Sequence, residues 1–178
     1  MGVRILPGAP TLSRLFPLQA PRDAEERDQR VMAMALHEAR RAFELDEVPV
    51  GAIVVRGDEL LGRGANQVEA LRDATAHAEM LALSQAFAAA GEKRLVDAEL
   101  FCTLEPCLQC AGALVHARIA RVVYGAPDPK FGGVESLARL LELPGLNHRV
   151  AVRAGVMAEE SAALLRAFFQ GRRGRDRA

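Results

Sequence analysis

The first well-patterned stretch of the chain repeats its apolar positions at helical spacing. Between Ala24 and Leu45, the residues Met32, Leu36, Ala39 and Phe43 fall on one face, and Glu25, Glu26 and Asp28 crowd the opening. That pattern predicts a helix over 24–45, closed by Pro49 and Gly51. Ala52 to Val55 is a short apolar run, Arg56 to Glu59 has turn composition, and Leu60 to Ala65 returns as the partner of a hairpin. A second helix is expected from an N-cap at Thr75 through Leu83 and Phe87 to Ala90, with Gly91 as its stop. Beyond it the pattern predicts a strand over 100–103, a helix over 107–117, a strand over 122–125 and a short helix over 137–143. A strand over 149–153 and a closing helix over 159–169 follow, with Gly171 as an interruption just past that helix.

Five strands alternating with helices predict an α/β fold of three layers, α/β/α, around one mixed sheet. The hairpin supplies an antiparallel pair, and the 100–125 segment suits a parallel crossover. No internal repeat or boundary divides residues 23–178, which read as a single domain. Residues 1–22, punctuated by Pro7, Pro10, Pro17 and Pro21, read as a flexible lead-in. A chain of 178 residues closes one core, and aromatics at 4% leave it to aliphatic side chains, with Phe87, Phe101, Phe168 and Phe169 as the bulky pieces.

A formal net charge of zero argues against nucleic-acid binding over the whole surface. Charge is local instead: Arg172, Arg173, Arg175 and Arg177 crowd the C-terminal end, where the plainest reading is a solvated tail. No apolar run is long enough to span a membrane, and the opening residues lack the apolar block of an export signal. Leu6 stands where a myristoylation motif needs Ser or Thr. A cytoplasmic location is expected. Three cysteines in such a chain, two of them spaced Cys107-x-x-Cys110, point to metal or redox chemistry rather than a disulfide framework.

A catalytic zinc takes three protein ligands and keeps a fourth position for water. His77-x-Glu79 and Pro106-Cys107-x-x-Cys110 offer such a set, on two predicted helix starts. Cysteines three apart face one way at the start of a helix, where the helix dipole favours thiolate. Two thiolates and an imidazole balance the dication and leave Glu79 to handle protons. Each motif alone is weak: Cys-x-x-Cys is as often structural or redox. A closed structural site needs a fourth ligand, for which Cys102, inside a predicted strand, and His116, far along the cysteine helix, are poor choices; His37 needs no role. His-x-Glu followed by Pro-Cys-x-x-Cys is the established signature of zinc nucleobase deaminases.

With these residues in place, the chain from about Val31 to Arg173 resembles the bacterial tRNA-specific adenosine deaminases. The resemblance lies in EVPVGA (47–52), ATAHAEM (74–80), TLEPCLQCAGALVHARIARVVYGAPDPKFG (103–132) and PGLNHRV (144–150). It implies a cytidine deaminase-like fold, one Zn²⁺ per chain, a homodimer, and a tRNA anticodon stem-loop as substrate. The implied reaction converts the wobble adenosine to inosine by a zinc-bound hydroxide, with Glu79 as proton shuttle. It further implies that the backbone N–H groups of Ala78 and Glu79 hold the base edge, that Asn66 hydrogen-bonds the base, and that Pro49, Val50 and Pro106 line its apolar slot. Asp128 and Lys130 match anticodon-loop contacts, and Phe169 and Arg172 match a helix that meets the flanking nucleotides. Ala74 departs from the proline common at that position. Two rivals remain on sequence grounds: a deaminase of a free base or nucleoside such as guanine or cytosine, and a non-enzymatic zinc-stabilised module.

Overall fold

A computed structural model of the chain describes residues 21–175. All of the expected 1–22 lead-in except Pro21 and Arg22 lies outside that range, as does Arg177. The elements run α1 (Ala24–Glu44), β1 (Gly51–Arg56), β2 (Glu59–Ala65), α2 (Val68–Leu71), α3 (Ala78–Ala90), β3 (Glu99–Leu104) and α4 (Leu108–Ala117). They continue with β4 (Arg121–Ala126), a 3-10 turn at Leu140–Glu142, β5 (Ala151–Arg153) and α5 (Ala158–Arg175). The sheet order is β2-β1-β3-β4-β5. β1 is antiparallel to both β2 and β3, whereas β3, β4 and β5 run parallel. The three-layer expectation holds. Side chains of α3 and α4 pack with Ala52, Val54, Leu100 and Val122 on one face of the sheet. Those of α1 pack with Ile53, Val55, Phe101 and Val123 on the other, which α5 shares.

Small residues set how closely those layers approach. A Cβ at Gly51 would stand 2.1 Å from the Ala35 carbonyl oxygen of α1. At Gly62 and Gly64 it would stand 2.2 and 2.1 Å from the carbonyl oxygens of Ala82 and Ala78 of α3. The backbone of α3 therefore rests directly on β2. The fully buried Asp28 carboxylate accepts from Arg121 at the start of β4 (2.6 and 3.0 Å) and from Arg153 at the end of β5 (2.5 Å). These bonds tie α1 to β4 and β5 and satisfy a charge that burial alone would penalise.

Several sequence expectations need correction. Thr75 does not cap the zinc-side helix, because its N–H and hydroxyl both donate to Asp73 (2.8 and 2.7 Å) in a local turn. α3 starts at Ala78, and His77 is its N-cap. Cys107 likewise precedes α4 as N-cap, with extended backbone, rather than sitting inside its first turn. The helix expected over 137–143 is only the 3-10 turn, and α2 was not foreseen. Phe169 is 46% exposed and so is not a core residue, and Phe87 is only partly buried; Phe43, on the apolar face of α1, is 37% exposed. Phe43 and Phe169 instead meet the buried Phe168 ring edge-on, at 5.7 and 5.4 Å.

Gly171 does not interrupt α5, which continues to Arg175. A Cβ at Gly171 would meet nothing within 4 Å. Gly171→Ala should therefore stabilise the protein by about 0.5–1 kcal/mol, because it removes the entropic cost of an interior helical glycine. The check is the urea midpoint at unchanged slope; an unchanged or lower midpoint would contradict an intact helix at this position.

Candidate active site

Two helix N-caps and one first-turn residue converge on a single point. The Nδ1 atom of His77 lies 3.4 Å from Sγ of Cys107 and 3.5 Å from Sγ of Cys110. All three ligand atoms fall within 4.8 Å of one another. Tetrahedral zinc, with Zn–S near 2.3 Å and Zn–N near 2.0–2.1 Å, places such atoms about 3.6 Å apart. The donor set and its spacing thus fit one zinc ion. Neither Cys102, buried in β3, nor the exposed His116 belongs to this group, so the arrangement is the three-ligand kind that leaves a coordination position open.

The electrostatics agree with a cation site. The Cys110 thiol donates to Cys107 and, with His77, holds the Cys107 thiol down to about 4 despite partial burial. Cys110 is pushed up by the same shared proton and by its own burial. His77 is raised, chiefly by its bond with Cys107. A dication between them replaces that proton and favours thiolate on both sulfurs. Glu79, two residues beyond His77, is 4% exposed, and burial raises its carboxyl above the ordinary carboxylate value. A buried carboxyl biased towards its neutral form is suited to taking up and returning a proton.

His77, Glu79 and Cys107 line a cleft of about 970 Å³. The cleft opens beyond the C-terminal ends of parallel β3 and β4, the usual ligand position in open α/β sheets. Val50 and Asn66 line it from the ends of the first hairpin, Asp128 and Lys130 from the loop after β4, and Phe169 from α5. Pro49, Pro106 and Ala78 are buried and are not among the lining residues. Ala78 and Glu79 are the first residues of α3, where a helix leaves N–H groups without intrahelical partners. Asp128 accepts from the N–H groups of Lys130 (3.0 Å) and Phe131 (3.2 Å), so its carboxylate shapes its own turn. Arg172 lies over the Phe168 ring at 5.4 Å. It is not among the lining residues.

Two buried carboxylates in the cleft lining, Glu47 and Glu105, were not foreseen. Glu47 accepts from Asn66 Nδ2 (3.1 Å) and from the N–H groups of Glu69 (3.2 Å) and Ala70 (2.7 Å), fixing the Asn66 amide and docking α2. Glu105 binds the loop after β4. Burial opposes its charge, but its hydrogen bonds, first that from Ser136, hold its carboxyl below the ordinary value. The only sequence signal for either residue was an acidic side chain set in an apolar context, EVPV and TLEP.

Comparison with known proteins agrees with this geometry. Residues 25–126 match the family model described as the cytidine and deoxycytidylate deaminase zinc-binding region. The chain is therefore a zinc-dependent deaminase of that family. It is 45% identical over 146 residues to a tRNA-specific adenosine deaminase of Streptococcus pyogenes serotype M1, covering 82% of this chain and 84% of the relative. It is 48% identical over 139 residues to that of Aquifex aeolicus, covering 78% and 91%. Within the family, the chain belongs with the tRNA-specific adenosine deaminases. A structure from studies of A-to-I editing by tRNA:A34 deaminases at the wobble position superposes with a TM-score of 0.73 at 46% identity, over 76% of this chain and 98% of that one. A guanine deaminase from Nitrosomonas europaea superposes with a TM-score of 0.69 at 27% identity, over 79% and 83%. Among the described residues, no helix is long and apolar enough to cross a membrane.

Proposed function

We propose that this enzyme hydrolyses the 6-amino group of the wobble adenosine in a tRNA anticodon, giving inosine and ammonia. The observation that carries the reading is the His77–Cys107–Cys110 group beside the buried Glu79 in one cleft, in a chain 45% identical over 146 residues to a tRNA-specific adenosine deaminase. Zinc held by the three ligands supplies a polarised water whose pKa approaches neutrality. Glu79 accepts the proton of the attacking water and delivers it to N1 of the purine as the C6–O bond forms. It then moves the second proton to the departing amino group as the C6–N bond breaks.

The remaining residues orient the base and the strand. Asn66, its amide fixed by Glu47, hydrogen-bonds the base edge, with the N–H groups of Ala78 and Glu79 on the opposite edge. Val50 walls the slot, backed by Pro49 and Pro106. Asp128, Lys130, Phe169 and Arg172 meet the flanking nucleotides. The reading includes cytoplasmic action, where tRNA is found, and a homodimer: exposed Leu108, Phe131 and Leu137 around the cleft form an apolar rim suited to a second copy.

A second reading, deamination of free guanine, draws on the Nitrosomonas neighbour alone. One experiment separates the two. Purified protein is incubated with total tRNA, which is then sequenced for A-to-G changes at anticodon positions, while parallel reactions follow guanine and cytidine. Conversion at the wobble position is expected, with Arg172→Ala raising KM for tRNA and reducing the salt dependence of binding by about one phosphate contact. Rapid turnover of free guanine with untouched tRNA would replace the first reading by the second.

A further inference from the structure

Glu105 stands between Leu104 and Pro106, two residues before the ligand Cys107, and is only 2% exposed. Its carboxylate takes hydrogen bonds from the N–H groups of Asp128 (3.0 Å), Val134 (3.2 Å), Glu135 (2.8 Å) and Ser136 (2.9 Å), and from the Ser136 hydroxyl. All of these donors lie in the loop after β4, which also presents Asp128 and Lys130 to the cleft. A carboxylate offers about four lone-pair sites and no donor, so five converging donors use its capacity fully.

The loop is built around that group. A Cβ at Gly132 would lie 2.4–2.5 Å from the Glu105 carboxyl atoms, and one at Gly133 would lie 2.8 Å from Leu108 backbone atoms. Gly132 also bridges Cys107, and the Gly133 N–H donates to the Pro106 carbonyl at 2.8 Å. One side of this contact is therefore the chain leading into the zinc helix; the other is the wall that faces the flanking nucleotides.

We propose that Glu105 is a positioning residue that holds the 128–136 loop in the shape that binds the RNA flanks, without touching the substrate. The kinetic part of this proposal rests on the tRNA reading; the part concerning loop order does not. Glu105→Gln keeps the size of the side chain but replaces one acceptor oxygen with a donor aimed at N–H groups. Bonds to Asp128 on one side and to Val134, Glu135 and Ser136 on the other then compete for a single oxygen.

The test uses zinc-loaded Glu105→Gln and wild type, with metal content measured first. Amide hydrogen exchange at Asp128, Glu135 and Ser136 should speed up about tenfold or more, while α3 and α4 stay within about threefold. On an anticodon stem-loop, KM should rise about tenfold and kcat fall less than about threefold, because the loop binds and does not react. Ser136→Ala, which removes one donor and spares the carboxylate, should show the same pattern at smaller size, and it decides the matter should the Gln variant fail to fold. Unchanged exchange in the loop, or a fall in kcat at constant KM, would overturn the proposal. If wild type itself leaves the stem-loop untouched, the tRNA reading falls, and the exchange comparison alone upholds or overturns the role of Glu105.

Discussion

Glu79→Ala is expected to fold, keep its zinc and lose activity by at least roughly 10²–10⁴, the usual cost of removing a positioned general acid/base. In the proposed mechanism the same carboxyl serves the attack on C6 and the departure of ammonia, so the loss should reach the upper part of that range or pass it. Stability should not fall in step. Glu79 is buried with its carboxyl biased towards neutrality, so Ala replaces a group that burial penalises, and the cavity left behind opens into the cleft. Zinc content by emission spectroscopy and single-turnover rates on tRNA are the paired measurements. A variant with full zinc and a rate within tenfold of wild type would remove Glu79 from the mechanism, whereas a variant without zinc would make it a metal-site residue.

Cys107→Ser and Cys110→Ser should each lose the metal and, with it, both activity and a share of stability. A hydroxyl at neutral pH cannot replace a thiolate, so the three-ligand set drops to two. Binding that stabilises only the folded state is worth about 2.7 kcal/mol when free zinc stands at a hundred times Kd, and that contribution disappears with the site. Cys110→Ser should be the more damaging, because Cys110 is fully buried and the new hydroxyl must find a partner there, while Cys107 keeps contact with solvent. Thermal unfolding with and without a chelator separates the contributions: wild type should shift on chelation and the variants should not. Full zinc retention in both variants would place the metal elsewhere.

The ligands were legible because their geometry is local. Cys107 caps α4 and Cys110 lies in its first turn, and His77 and Glu79 are two residues apart, so each pair is local; that the two pairs meet was legible only from the two motifs occurring together in this order. The hairpin and the β3–α4–β4 crossover were legible for a similar reason, since apolar runs bounded by turn residues report their own period. Glu47 and Glu105 were not legible because their partners are chiefly backbone N–H groups of distant loops, which carry no residue signature. α2 has four residues, too few for a helical period to show. Thr75 misled because Asp73, two residues earlier, competes for the same hydroxyl. Phe87 and Phe169 misled because residue type sets the tendency to be buried, whereas position along α3 and α5 decides it.

The contact of α3 with β2 gives the metal site a mutational reach well beyond its ligands. His77 and Glu79 bracket Ala78, whose carbonyl oxygen would stand 2.1 Å from a Cβ at Gly64. The height of the imidazole and the carboxyl above the sheet is thus gauged by the thickness of a bare backbone, while the two sulfurs are carried by a different helix. A single methyl group added at Gly64, on the strand beneath the cleft wall, would lift the imidazole away from the two sulfurs. Loss-of-metal alleles are therefore as much to be sought in this glycine strand as among the histidine and cysteines.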